Sequence, residues 1–134
     1  GNVGYFLAED LAKCGVQLFI SDLSESILQK CAQSFQAEIV SPDQIHRIPC
    51  DIFAPCALGA ILNDKTIAEL DCKMIVGAAN NQLEDERHGY LLHQKGIFYA
   101  PDYVVNAGGI IHAGAQYLNL LHDQIDIQIS KIYD

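Results

Sequence analysis

The sequence predicts an α/β fold, a doubly wound parallel sheet with helices on both faces, and three observations carry that expectation. Short apolar runs of strand character alternate along the chain with amphipathic runs of helical period. The runs at Asp51–Ala54, Lys73–Val76 and Ile97–Ala100 lead from β-branched and aromatic residues into small residues and amides, as strands do where they end beneath a ligand. A glycine pair, Gly1 and Gly4, stands ahead of the first helix with the spacing of a phosphate-binding turn. Alternation of this kind implies right-handed crossovers, and in such sheets ligands sit at the carboxyl ends of the strands.

Taken in order, Val3, Phe6, Leu7 and Leu11 recur at helical spacing and Gly15 stands where a helix stops, which predicts a helix over 3–14. Val16 to Asp22 reads as a buried strand ending in a carboxylate, followed by a helix capped by Ser24 and reaching Phe35. A short strand over 38–40 precedes a helical turn opened by Ser41-Pro42-Asp43. After the strand at 51–54, Asn63-Asp64 begins a short helix through Leu70, and Lys73 resumes a strand. Glu84 to Gln94 is expected to be an exposed helix with acids in its first turn and His88 on its solvated face. Beyond the last strand and Pro101, an irregular stretch leads to one long amphipathic helix from Ile110, marked by Leu118, Leu121, Ile125, Ile129 and Ile132.

Composition narrows the function classes. The 134 residues, half of them hydrophobic, suit one globular domain with a substantial core. Eight basic against seventeen acidic residues, with no two basic residues adjacent, point away from nucleic acid and from anionic membranes. The five cysteines lack CxxC spacing and the histidines lack ligand spacing, so no metal site is expected. Scattered, odd-numbered thiols and the lack of a membrane-spanning run suggest a cytoplasmic protein.

GNVG at Gly1–Gly4 matches the second and third glycines of a dinucleotide fingerprint, whose strand and first glycine would precede residue 1. Asp22 follows 18 residues after Gly4 at the end of an apolar strand, where that Rossmann-like pattern places the acid that holds the adenosine ribose. A 2′-phosphate there would meet a like charge with no arginine in Leu23-Ser24-Glu25 to offset it, which favours NAD over NADP. Helix capping by Asp22 is the competing role. Cys56 is rejected as a nucleophile because no His/Asp constellation accompanies it.

With GNVG, the acid after the second strand, and above all DIFAPCALG (51–59), GAANNQL (77–83) and APDYVVNAGG (100–109) in this order, the chain resembles the cofactor domain of the glutamate/leucine/phenylalanine/valine dehydrogenases. The resemblance implies that Gly1, Asn2 and Val3 border a pyrophosphate and that Asp22 and Leu23 hold the adenosine ribose. It places Ala57 and Leu58 on the adenine side or the bridge, and Ala78, Ala79 and Asn80 along the nicotinamide ribose. Asn106 would reach the nicotinamide end or the substrate, where an amide offers a donor and an acceptor without charge. His112, Ala115 and Gln116 depart from the leucine-type pattern and blur the choice of substrate.

The implied reaction is reversible oxidative deamination of a branched-chain L-amino acid, leucine first and phenylalanine or valine as alternatives, to the 2-oxo acid and ammonia. In the family the acid–base work falls to a Lys and an Asp of a preceding substrate domain, so no catalytic residue is assigned in this chain. Residues 1–134 are therefore expected to be a dinucleotide-binding domain truncated at the N-terminus and at the C-terminus, inactive and marginally stable alone. The full-length protein is expected to be a homo-oligomer acting on a small amino acid. Two readings from other classes compete: a methyltransferase domain binding S-adenosylmethionine, and a non-catalytic NAD-sensing module.

Overall fold

A computed structural model describes residues 1–57 and 59–131. Helix α1 (Asn2–Lys13) leads into strand β1 (Phe19–Ile20), then helix α2 (Glu25–Phe35) and strand β2 (Glu38–Ile39). A 3₁₀ turn at Ile45–Arg47 precedes β3 (Cys50–Phe53), α3 (Asp64–Glu69), β4 (Cys72–Ile75), α4 (Arg87–Gln94) and β5 (Phe98–Tyr99). Three helices close the chain: α5 (Asp102–Val105), α6 (Ala107–Tyr117) and α7 (His122–Ser130).

All strand pairing is parallel, as the alternation predicts, with β1 beside β2 in one sheet and the order β3-β4-β5 in the other. Each of β2, β4 and β5 follows its neighbour through a helix. Among the described residues no strand joins the two sheets. One edge of β1 and one edge of β3 instead face a groove of about 820 Å³, lined by Ala8, Phe19, Ser21, Ile52 and Phe53 among others. Ser21 Oγ is buried there without a hydrogen-bond partner among the described residues.

The core sits almost wholly under β3-β4-β5, where Phe53, Leu62, Ile67, Leu70, Ile75, Leu92 and Ile97 form one buried cluster. Polar ties around it fix α3 in place. Asn63 caps α3 through bonds from the Lys65 and Thr66 N–H groups, while Thr66 Oγ1 accepts from the Asn63 N–H. Lys95 Nζ donates to the carbonyls of Ile67, Ala68 and Leu70 at 2.7, 2.9 and 2.7 Å, placing a cation at the negative end of that helix. Arg47 forks onto the Glu69 carboxylate, and His46 Nε2, on a buried ring, lies 2.5 Å from the same group.

Several local expectations are corrected. The strand expected over 16–22 is paired only at Phe19–Ile20, because β2 offers just two partner residues. Ser24 occupies the start of α2, but its hydroxyl faces Ser26, and Asp22 Oδ1 accepts the Ser24 N–H at 2.9 Å. The acids Glu84, Asp85 and Glu86 precede α4 instead of filling its first turn; Asp85 does the capping by accepting the Arg87 N–H. His88 is not solvated but fully buried. Its Nδ1 accepts the Asp85 N–H, which puts the proton of the neutral ring on Nε2, 3.3 Å from Asp64 Oδ1.

The segment after Pro101 is helical, not irregular, and the single long helix is two, broken at Asn119, whose φ of 53° is left-handed. Asparagine tolerates that conformation better than most residues, so its placement there is physically apt. Ile132, which also marked that helix, lies outside the described residues.

Candidate functional site

The carboxyl ends of β3, β4 and β5 run into three loops that are bonded to one another. Gly77 comes so close to the β3 loop that a Cβ on it would stand 2.3 Å from the Pro55 carbonyl oxygen and 2.4 Å from the Pro55 nitrogen. From the β3 loop, Gly59 in turn meets the β4 loop, its notional Cβ 2.6 Å from the Asn81 oxygen and 2.8 Å from that of Asn80. Across this contact the Ala79 N–H donates to Pro55 O and the Ala60 N–H to Asn81 O. The glycines of CALG and GAANN thus serve close backbone approach, which explains why strands here end in small residues.

The third loop is tied on by side chains. Asp102 Oδ2 accepts the Asn81 N–H at 2.5 Å, and Asn106 Nδ2 donates to Asn80 Oδ1 at 2.6 Å. A longer contact of 3.4 Å reaches Ala78 O. Beneath the loop, Gln82 is fully buried and its Nε2 donates to Gly77 O and Ala79 O. Burial, and then the Asp102 charge, push the nearby Tyr99 phenol above its ordinary value, so it is a neutral donor at physiological pH.

The glycine turn joins this edge from the other sheet. A Cβ on Gly4 would stand 3.4 Å from the Cys56 Cβ, and the Gly1 nitrogen lies against Asp22 Oδ2. The Ser24 N–H occupies the other Asp22 oxygen. The first-turn N–H groups of α1 have no partners within the helix, so the start of α1 offers donors and a positive dipole end beside a half-buried acceptor. Asp22 thus stands between the starts of α1 and α2, with its local role visible in the bond from the Ser24 N–H.

The residues singled out from the sequence fall in unequal places. Gly1, Asn2 and Val3 are exposed at the start of α1, and Ala57 and Asn80 are exposed on their loops. Ala78 and Asn106 are half-buried, and among the described residues Asn106 Oδ1 has no partner. Ala79 is 5% exposed with its N–H spent on Pro55, so it packs the loop. Leu23 is 91% exposed beside Asp22, while Leu58 lies outside the described residues.

Reading motifs for ligand contacts passed over the residues that hold the loops: Gly59, Gly77, Gln82 and Asp102. Gln82 closes the amide run Asn80-Asn81-Gln82, which gave no signal to tell it from its two exposed neighbours. No group of three His, Cys, Asp or Glu among the described residues is placed to hold a metal ion.

Comparison with known proteins agrees with this architecture. Residues 16–126 match the family model of the Glutamate/Leucine/Phenylalanine/Valine dehydrogenases. A leucine dehydrogenase of Bacillus subtilis is 51% identical over 133 residues, covering 99% of this chain and 36% of that protein. One from Thermoactinomyces intermedius is 48% identical over 134 residues, covering all of this chain and 37% of that protein. The crystal structure of L-tryptophan dehydrogenase from Nostoc punctiforme superposes with a TM-score of 0.94 at 45% identity, over the whole of this chain and 41% of that one. The chain therefore spans little more than a third of the length of the curated relatives it matches. With the parallel α/β framework and the interlocked loops of DIFAPCALG, GAANN and NAGG in place, the chain belongs to the glutamate/leucine/phenylalanine/valine dehydrogenase family.

Proposed function

We propose that residues 1–134 form the NAD-binding domain of an amino-acid dehydrogenase that interconverts an L-amino acid with its 2-oxo acid and ammonia, leucine being the first candidate substrate. The observation that carries this is the single edge on which the α1 N-terminus, Asp22 and the three bonded loops meet. Bound NAD would supply the acceptor for the electron pair leaving the substrate Cα. The chain's own residues do the holding. Unpaired N–H groups at the start of α1 face the pyrophosphate, the Asp22 carboxylate takes ribose hydroxyls, and Ala78 leaves room for the second ribose. Asn106, its donor side fixed by Asn80, presents Oδ1 as an uncharged acceptor at the reacting end.

The groove between β1 and β3 is read as the seat of one more parallel strand from outside the described residues. Both flanking edges, and Ser21 Oγ beside them, lack partners among the described residues. The acid–base residues are assigned to a substrate domain outside these residues. The exposed apolar side chains of α6 and α7, Ile110, Tyr117 and Leu121 among them, suit a contact with that domain or a neighbouring subunit of a homo-oligomer. A cytoplasmic location fits five free thiols, and no helix of the described residues is long and apolar enough to cross a membrane. Phenylalanine and tryptophan remain rival substrates, because relatives named for each are about as similar as the leucine enzymes.

Calorimetric titration of the full-length protein tests the reading. NADH is expected to bind at least about tenfold more tightly than NADPH, with no uptake of S-adenosylmethionine. Preference for NADPH would remove Asp22 from the ribose, and binding of S-adenosylmethionine alone would reject the dehydrogenase.

A further inference from the structure

We propose that Gln82 is a positioning residue for the cofactor, setting the direction in which the Gly77–Asn81 loop presents its backbone donors. The inference rests on the reading of that loop as the nicotinamide side of an NAD site. Gln82 is fully buried, and its Nε2 donates to two loop carbonyls, Gly77 O at 2.7 Å and Ala79 O at 2.9 Å.

In a trans peptide the C=O and the following N–H point opposite ways. Turning the carbonyls of Gly77 and Ala79 inward onto one amide therefore turns the N–H groups of Ala78 and Asn80 outward. Neither has a partner among the described residues, whereas the intervening Ala79 N–H is bonded to Pro55. The loop thus presents alternate donors outward, and Gln82 fixes the alternation.

Gln82 Oε1 is buried with no hydrogen-bond partner among the described residues, and an orphaned acceptor is costly. A leucine of similar volume would remove that acceptor but leave the Gly77 and Ala79 carbonyls without their shared donor, so the contribution of the amide lies in its two donors and in the loop they shape.

The test compares full-length enzymes carrying Gln82→Leu and Ala78→Leu, reading the Kd for NADH alongside kcat and the amino-acid KM. Gln82→Leu is expected to raise the NADH Kd by roughly tenfold, leaving the amino-acid KM and the kcat at saturating cofactor within about threefold of the parent. Ala78→Leu, which crowds the loop directly, is expected to weaken NADH at least as much. If Ala78→Leu weakens NADH and Gln82→Leu does not, the role of Gln82 is overturned while the site stands. If Ala78→Leu binds NADH like the parent, the site is misplaced and the role of Gln82 falls with it.

Should Gln82→Leu give no soluble enzyme, Gln82→Glu replaces it. Its buried carboxyl has a raised pKa, carrying one donor when protonated and none when ionised. NADH affinity relative to the parent should then rise as pH falls toward about 6, and a ratio independent of pH overturns the proposal.

Discussion

The two halves of the molecule are built from the same strand–helix–strand unit yet differ in how they hold together. Under β3-β4-β5, Leu62, Ile75 and Leu92 are wholly excluded from solvent within one cluster. Around β1-β2, the buried side chains are fewer and smaller on average, with Ala8, Leu28, Cys31 and Ala37 at 4–7% exposure. Tyr5 packs on Phe35 there and lies under the Lys30 ammonium, a surface arrangement that shields the helix pair without filling the sheet's open edge. An α/β unit is completed by neighbours on both sheet edges. The second half has its three strands in register, and the first faces the groove.

Core truncation should test that contrast most strongly. Leu92→Ala is expected to cost about 2–5 kcal/mol in the full-length protein, and Leu28→Ala, beside the groove that the proposed strand fills there, should cost a similar amount. Urea denaturation of the full-length protein measures both, and a Leu28→Ala cost of half that or less would mean that the groove stays open in the longer chain. Next in size is Gly77→Ala. Its Cβ would overlap the Pro55 backbone, which cannot yield as a flexible side chain can, so a loss of about 1–3 kcal/mol and weakened NADH binding are expected together. Unchanged binding would separate the loop contact from the cofactor site.

The smallest effect concerns pH. His46 and then Arg47 hold the Glu69 carboxyl below its ordinary value of 4.5. A carboxylate depressed in the folded state contributes stability that is complete above the unfolded value and lost as pH falls through the folded one. Stability should therefore decline from near pH 4.5 downward, and Glu69→Gln should shallow that decline without altering the slope above pH 6 by more than a small amount, roughly the scatter of exposed pairs. A Glu69→Gln profile parallel to the parent's would show that the His46–Arg47–Glu69 tie contributes nothing at acid pH.

Much of the framework could be read from residue order. The period of Val3, Phe6, Leu7 and Leu11 located α1, and the apolar runs ahead of Gly77 and Pro101 located the strands. What escaped was set by tertiary contact. His88 occupies a helical position that its polarity assigns to water, but Asp85 and Asp64 give both ring nitrogens a neighbour inside the protein. The break between α6 and α7 turns on one left-handed residue, Asn119, within an otherwise uninterrupted apolar stripe. In the site, motif spacing found the edge and its small residues. It could not tell Ala78, half-buried with its N–H unpaired among the described residues, from Ala79, which is packed with its N–H on Pro55, because that depends on the carbonyl directions that Gln82 holds.

The central claim is that the loops closing β3, β4 and β5 hold the cofactor. Hydrogen–deuterium exchange of the full-length protein with and without saturating NADH tests it most directly. The account predicts slowed exchange on NADH addition in the peptides spanning 1–5, 54–60, 77–83 and 101–107, with the core strands unchanged. Protection confined to other peptides, with these four indifferent to NADH, would contradict it.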